Sequence, residues 1–371
     1  MVKIKVELKE RSYEILVGSN ILPDLGKFIE QHNWGKEIFI ITDPLVNDLY
    51  ANLLYKSLRA FKPHIIEVAR GERYKNLKVA SVLYDDLVKC NAHRDALIVA
   101  LGGGVIGDLA GFVAATYMRG INYIQVPTTL LAQVDASIGG KTGVNHPRCK
   151  NLIGAFYQPK AVYIDVQTLT SLPARELRTG LAEVVKYGVI EDADFFEFLE
   201  ANAHHLNTKA FEQADTLRAA LKVWEIIVAE SAKIKARVVE KDETETGLRM
   251  ILNFGHTLGH AIETLTRYRA YNHGEAVSIG MVVATRIARG LKMIPEETVV
   301  RIVNLLEKLG LPTEIDRLPA KKLLQALTID KKIREGKIQF VLPEKIGKVA
   351  VKDNVPLKLV KEILVTMGAK C

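Results

Sequence analysis

The sequence is poor in cysteine. Its 371 residues hold only Cys90, Cys149 and Cys371. They are scattered, odd in number and free of any CxxC pair, which excludes a disulfide-stapled fold and a thiolate zinc site. No stretch approaches the ~18 apolar residues of a membrane span. The opening "MVKIKVELKE" lacks the apolar core of a secretory leader. A cytoplasmic protein with no membrane association is therefore expected. No basic run is interleaved with aromatics and no nucleic-acid signature is present, so the net charge of +8 does not point to nucleic acid. It fits either solubility or an anionic small ligand. Internal repeats and low-complexity segments are also missing. What remains is an ordinary globular composition, 48% hydrophobic and 25% charged, long enough for two domains.

The first half alternates short apolar runs with amphipathic stretches. "IKVEL" and "YEILV" read as a hairpin; "EIFIIT", "HIIEVA", "ALIVALGGG", "NYIQVP" and "AVYIDV" read as buried strands. Helical stretches such as 45–60 and 76–90 lie between them, which predicts an α/β domain built on a parallel nucleotide-binding sheet. After "QTLTSLPARELRTG" the helical period dominates, over 180–190, 194–203, 215–240, 250–266, 274–290, 296–309 and 356–366. "KIQFVLP" and "KVAVKD" form a late hairpin. The expected organisation is an α/β domain over 1–173 and a mostly α-helical domain over 174–371.

"ALIVALGGGVIGDLAGFVAATYMRG" is a strand, a glycine turn and a helix, with Gly102, Gly104 and Gly107 matching G-x-G-x-x-G. Such glycines let a pyrophosphate approach the backbone at a helix N-terminus; used only for a tight turn, they would look the same. The ribose-binding acid expected after the next strand is missing, because "NYIQVPTT" ends in Pro127, Thr128 and Thr129. Asp43, in "IFIITDP", ends an earlier strand instead. Its carboxylate can accept ribose hydroxyls and would disfavour a 2′-phosphate, which fits NAD better than NADP, or it can cap the helix starting at Pro44. Asp108, at the helix start, can bond the nicotinamide-side ribose or amide, or cap. Glu72 and Lys75, in "RGERYKNL", belong either to a site or to a solvated charged loop. In "VPTTLLAQVDASIGGKTGVNHPRCKNLIGAF", Lys141, Lys150 and Asn151 lie in Gly-rich backbone suited to phosphate or carboxylate, and Arg119 of "YMRG" can join them.

In the second half, "LAEVVKYG" places Glu183 and Lys186 on one helix face among apolar neighbours. A surface ion pair is one reading; a pair buried for a purpose fits the surroundings better. "NFGHTLGHAIE" places His256 and His260 four apart, so both share a helix face. Arg249, Asn253 and Glu263 lie nearby, and His273-Gly-Glu275 opens another helix. A glutamate with two histidines from separate elements makes a familiar catalytic zinc set.

The segments "LGGGVIGDLAGFVAATYMRG", "VPTTLLAQVDASIGGKTGVN", "KNLIGAFYQP", "LAEVVKYG", "NFGHTLGHAIE" and "HGEAV" resemble the 3-dehydroquinate synthase family of sugar-phosphate cyclases, in order and over nearly the whole chain. A more distant likeness is to glycerol dehydrogenase-like and iron-alcohol-dehydrogenase-like enzymes. The resemblance implies a phosphate-eliminating carbon–oxygen lyase of the shikimate pathway. It would turn 3-deoxy-D-arabino-heptulosonate 7-phosphate into 3-dehydroquinate by transient NAD oxidation, phosphate elimination, reduction, ring opening and intramolecular aldol closure. NAD and a divalent metal, zinc or cobalt, are the implied cofactors. The implied assembly is a homodimer. The rivals are a cyclase of the 2-deoxy-scyllo-inosose or valiolone type and a polyol dehydrogenase.

The same resemblance implies residue roles. Glu183, His256 and His273 would hold the metal, His260 and Glu245 would handle protons, and Lys141 and Lys186 would join them as catalytic residues. Lys141, Lys150, Asn151, Lys186, Lys235, Arg249, Asn253, His260, His273 and one lysine of "DKK", Lys331 or Lys332, would contact substrate. Arg119 would reach the phosphate across a dimer interface. Asp43, Glu72, Lys75, Gly104, Val105, Ile106, Gly107, Asp108, Thr128, Thr129, Asp135, Lys141, Lys150, Thr168, Leu169, Thr170 and Ser171 would line NAD. Given Glu183 and His273 as ligands, adding both His256 and His260 would close a tetrahedral site that the substrate alcohol must enter. His256 is therefore assigned to the metal and His260 to proton transfer.

Overall fold

The computed structural model describes residues 1–211, 214–245, 247–267, 269–316, 318–333 and 338–370, without the side chains of 214, 215 and 328–333. The chain forms two compact units, Met1–Leu172 with Leu221–Thr244, and Pro173–Ala220 with Glu245–Cys371. The helix Ala214–Lys241 thus contributes most of its length to the first unit. The single boundary near residue 173 in the sequence reading has no counterpart to that return, because a helical period does not show which body the helix packs against.

The first unit is built on a seven-stranded sheet. Its strands are β1 (Val2–Val6), β2 (Tyr13–Gly18), β3 (Ile38–Thr42), β4 (His64–Glu67), β5 (Leu97–Gly102), β6 (Asn122–Pro127) and, after two strands outside it, β9 (Ala161–Asp165). Their order is β1-β2-β9-β6-β5-β3-β4. β1 and β2 pair antiparallel as the expected hairpin, and the remaining pairings are parallel. Side chains alternate between two cores: Ile38, Ile40, Leu97, Val99 and Leu101 enter one, while Phe39, Ile41, Ile98 and Ala100 enter the other. Burial on both faces is why these strands read as unbroken apolar runs. The parallel strands end on one edge, where the loops after them gather polar side chains.

The stretch after β6 forms strands that the sequence reading did not foresee. β7 (Lys141–His146) and β8 (Cys149–Phe156) make an antiparallel hairpin. Its Gly143 and Gly154 lie face to face; a Cβ on Gly154 would come 2.2 Å from the Thr142 carbonyl oxygen. Glycine here permits backbone contact and erases the apolar alternation that marks a strand.

The second unit is helical, with Ala174–Ile190, Ala193–Asn202, His256–Leu265, His273–Gly290, Glu296–Lys308, Ala320–Ile333 and Leu357–Thr366. The late hairpin pairs β10 (Phe340–Lys345) with β11 (Lys348–Lys352). Helix His273–Gly290 packs against Ala174–Ile190, His256–Leu265 and β10. The helix expected over 250–266 is two pieces, a 3-10 segment Leu248–Asn253 and the helix from His256. Gly255 separates them with φ +80°, and a Cβ there would lie 2.7 Å from the Val277 carbonyl oxygen. Glycine alone fits that left-handed, crowded position. Among the described residues, no helix is long and apolar enough to cross a membrane.

Candidate functional site

In the first unit, Gly103 caps the helix Gly104–Thr116, whose first turn is Gly104, Val105, Ile106 and Gly107. Early helical N–H groups have no intrahelical acceptor and present a positive end. Gly107 also has a packing reason: a Cβ would lie 2.6 Å from Gln125 Oε1. Asp43 caps the helix after β3, its Oδ1 accepting from the N–H groups of Leu45 at 3.0 Å and Val46 at 3.2 Å. Arg70 Nε is 3.5 Å from the same oxygen.

Lys75 is no solvated loop lysine. It is 4% exposed, with Nζ 2.8 Å from Asp108 Oδ2 and 3.4 Å from Glu72 Oε1. Asn145 Nδ2 donates to Glu72 Oε1 at 2.7 Å. Burial alone would lower the Lys75 pKa, but Asp108 and Glu72 outweigh it and raise it. Burial raises Asp108 despite Lys75. For Glu72 burial is again the largest influence, yet Lys75, Asn145 and Lys150 together lower it. Lys235 Nζ donates to Asp135 Oδ1 at 2.8 Å, so a lysine expected at substrate and an acid expected at NAD are paired.

Thr128 is buried after β6, its N–H donating to the Gly102 carbonyl at 3.0 Å. Thr129 Oγ1 accepts from Ala132 N–H at 3.3 Å. Thr168, Leu169, Thr170 and Ser171 lie in the 3-10 segment Val166–Ser171. Tyr50 holds that segment through the Thr168 carbonyl, at 3.1 Å, and the Ser171 hydroxyl. Lys141, Lys150, Asn151 and Arg119 are exposed. Sequence reasoning missed Tyr50 and Asn145. Asn145 was visible only as a polar residue after "KTGV"; Tyr50 gave no signal, since a tyrosine in an amphipathic helix is ordinary.

In the second unit, helix Ala174–Ile190 carries Glu183 and Lys186, 0% and 1% exposed and ion-paired. The buried-pair reading holds. His256 opens one helix and His273 another, and both Nε2 atoms face Glu183 Oε1, at 3.5 and 3.4 Å. Among the described residues, Glu183, His256 and His273 form a group able to hold a metal, with ligand atoms within 4.8 Å of one another. His260 is exposed one turn on, its ring centroid 5.4 Å from His256 and 6.5 Å from His273. The opening of the His273 helix is fixed by a capping box of Asn272 and Glu275. Arg175 grips Glu275 at 2.8 and 2.7 Å. Burial drives His256 down to about 3. Burial also pulls on His273, but hydrogen bonds to Glu183 and Glu263 overcome it and raise it to about 10.

Arg249 is buried, Asn253 is half-buried and Glu245 has φ +60°. Asn253 Nδ2 lies 3.5 Å from Glu245 Oε1. The side chains of Lys331 and Lys332 lie outside the described residues.

The description "3-dehydroquinate synthase N-terminal" matches residues 65–179, and "3-dehydroquinate synthase C-terminal" matches 180–333. The chain is 48% identical over 365 residues to 3-dehydroquinate synthase of Microcystis aeruginosa, covering 97% of each. It is 48% identical over 368 residues to that of Pelotomaculum thermopropionicum, covering 98% of this chain and 96% of the relative. Among solved structures it is similar to 2-epi-5-epi-valiolone synthase from Streptomyces hygroscopicus with NAD+ and Zn2+ bound, at TM-score 0.85 and 28% identity, covering 97% of this chain and 98% of the other. It is equally similar, at TM-score 0.85 and 28% identity, to 2-deoxy-scyllo-inosose synthase complexed with carbaglucose-6-phosphate, NAD+ and Co2+, covering 98% and 99%. These two solved structures share the fold at 28% identity while the dehydroquinate synthases reach near-half identity end to end, so the chain belongs to the 3-dehydroquinate synthase family.

Proposed function

We propose that the chain eliminates phosphate from 3-deoxy-D-arabino-heptulosonate 7-phosphate and closes the carbocycle of 3-dehydroquinate, using NAD and a zinc- or cobalt-type ion. Family membership makes it a lyase of the shikimate pathway; the assignments of individual residues are our reading. The observation that carries the reading is the convergence of Glu183, His256 and His273. One carboxylate oxygen and two imidazole nitrogens within 4.8 Å fit a divalent ion that accepts N and O ligands and keeps a position for substrate. When bound, the ion would supply Lewis acidity at the substrate alcohol and NAD would supply reversible hydride chemistry, with no net oxidation.

The chain's own groups position and move protons. His260, exposed one helical turn beyond His256, transfers a proton, a role suited to imidazole. Glu245, beside Asn253, serves as the second proton-handling group. Lys186, Arg249, Asn253 and His273 in the second unit recognise substrate, as does Lys332. In the first unit Lys141, Lys150, Asn151 and Lys235 meet anionic groups. Asp43, Glu72, Lys75, Gly104 to Asp108, Thr128, Thr129, Asp135, Lys141, Lys150 and Thr168 to Ser171 serve NAD. Supporting this, Asp43, Glu72, Lys75, Gly104 to Asp108, Thr128, Thr129 and Thr168 to Ser171 follow the ends of parallel strands on one sheet edge, while Lys141 and Lys150 lie in the β7–β8 hairpin. We assign Arg119, exposed and in left-handed backbone, to the phosphate of a partner protomer's substrate in a homodimer. We place the protein in the cytoplasm; free Cys90 and Cys149 suit a reducing compartment.

One assay tests the function. The protein is incubated with the heptulosonate phosphate, divalent metal and substoichiometric NAD. Phosphate and 3-dehydroquinate should accumulate without lasting NADH. NADH accumulating with a polyol, and no phosphate from the heptulosonate, would refute the reading.

A further inference from the structure

The two histidines differ on the side turned away from Glu183. His256 Nδ1 meets the main-chain carbonyl of Phe254 at 3.1 Å. His273 Nδ1 meets Glu263 Oε2 at 3.4 Å. Each ring therefore has an acceptor behind it, which places a proton on Nδ1 and leaves Nε2 as the nitrogen turned toward Glu183, the one that a metal ion would take in exchange for any proton on it. Groups that hold a metal-bound imidazole from behind set its tautomer, its orientation and its basicity. A carbonyl supplies a dipole; a carboxylate supplies a full charge. Glu263 is 6% exposed. A carboxylate in that position keeps its charge only where partners offset the cost of burial. It lies in the helix His256–Leu265 that His256 itself opens.

We propose that Glu263 is a positioning residue for the metal centre: it holds the His273 ring in the Nδ1–H tautomer and in the orientation that turns Nε2 toward Glu183. The inference rests on the Glu183, His256 and His273 reading. Among the described residues Glu263 falls outside the group whose ligand atoms converge. Its position in sequence adds a reason. Glu263 is seven residues from His256, close to two helical turns, so one helix presents a ligand at its start and the support for the other ligand on the same side. Arg175, Glu275 and Asn272 fix where the His273 main chain begins, and Glu263 fixes how the ring is turned.

The test uses the full-length protein stripped of metal and titrated with Zn2+ against a chromophoric chelator. Glu263→Gln keeps the shape and an acceptor oxygen but removes the charge; Glu263→Ala removes both; His273→Ala tests the reading beneath. Affinity should fall about 10- to 100-fold in Glu263→Ala, less in Glu263→Gln, and far more in His273→Ala. In the Co2+-loaded protein the ligand-field bands should shift in Glu263→Gln. Nitrogen-15 NMR of the zinc-loaded wild type should show His273 protonated on Nδ1. Wild-type Zn2+ affinity and unshifted Co2+ bands in Glu263→Gln, with affinity lost in His273→Ala, would overturn the inference and leave the metal reading standing. Affinity retained in His273→Ala would overturn both. Loss in Glu263→Gln as deep as in His273→Ala would make Glu263 a ligand and also overturn it. If Glu263→Ala does not fold, Glu263→Gln decides alone, and circular dichroism of the metal-free protein establishes which case holds.

Discussion

In the first unit each buried lysine comes with its own acid: Lys75 with Asp108 and Glu72, and Lys235 with Asp135. In the second unit one buried acid serves several nitrogen groups: Glu183 pairs with Lys186 and faces His256 and His273. The first arrangement balances charge within the protein, and a polar ligand can exchange hydrogen bonds with it. The second crowds basic nitrogens around one carboxylate, which costs free energy unless protons or a metal ion complete it. The contrast predicts that changes in the second unit act through the metal, while changes in the first act through folding and NAD.

The largest effect should separate His256 from His260. His256→Ala should lose metal and turnover together. His260→Ala should keep stoichiometric metal and lose about 10²- to 10⁴-fold in turnover, the range of a general acid–base group. Metal analysis of both purified variants beside steady-state kinetics decides it. Metal loss in His260→Ala equal to that in His256→Ala would make His260 a ligand.

Lys75→Met is the matching break in the first unit. Removing one partner of a buried ion pair costs about 3–5 kcal/mol, discounted here because the Glu72 side chain is 39% exposed. Denaturant unfolding should show a loss of about 2–4 kcal/mol on that basis, with metal content unchanged. An unchanged midpoint would mean that the pair is replaceable by packing; lost metal would blur the contrast between the units.

The two regions were not equally legible in the sequence. Strands such as "IFIIT" and "LIVALG" announced themselves because both faces are buried, and the β1–β2 hairpin because β1 alternates beside an apolar β2. The β7–β8 hairpin did not, because its glycines serve backbone contact. Residue types suggested a metal set of one glutamate and two histidines from separate elements, but which residues form it came from the family resemblance. Its support could not be read from the sequence: Glu263 looks like any helical glutamate until the fold turns it toward His273. Lys75 was ambiguous because burial, which distinguishes a site from a charged loop, is a tertiary fact.

pH sharpens the comparison in the metal-free chain. His256 sits at about 3 when folded against an ordinary 6.5. A depressed value contributes stability above about 6.5 that is lost as pH falls toward 3. His273 sits at about 10. A raised value contributes stability below about 6.5 that is lost as pH rises toward 10. Each proton changes stability by about 1.4 kcal/mol per pH unit within its window. In chelator, His256→Gln should therefore flatten the acid limb of the stability curve and His273→Gln the alkaline limb. Curves parallel to wild type would refute the assignment. Because a metal-bound imidazole must be neutral, ion binding near pH 8 should also release a proton, which calorimetry in buffers of different ionisation enthalpy measures.

The smallest effect concerns Asp43, where two explanations fit one geometry. Its Oδ1 accepts from Leu45 and Val46 N–H groups, and loss of such a cap costs about 1 kcal/mol. The same carboxylate ends β3 on the edge proposed for NAD, where it would accept ribose hydroxyls. Asp43→Ala removes both functions and cannot separate them. Asp43→Ser can, because serine caps nearly as well but offers no charged acceptor. If Asp43 serves the ribose, Asp43→Ser should unfold close to the wild-type midpoint yet bind NAD about 10-fold more weakly, the value of one charge-assisted hydrogen bond at about 1.5 kcal/mol. It should also narrow the preference for NAD over NADP, because a 2′-phosphate would no longer meet a carboxylate. Fluorescence titration with both nucleotides measures this. Wild-type NAD affinity in Asp43→Ser, with a lower midpoint in Asp43→Ala alone, would leave Asp43 as a cap and nothing more.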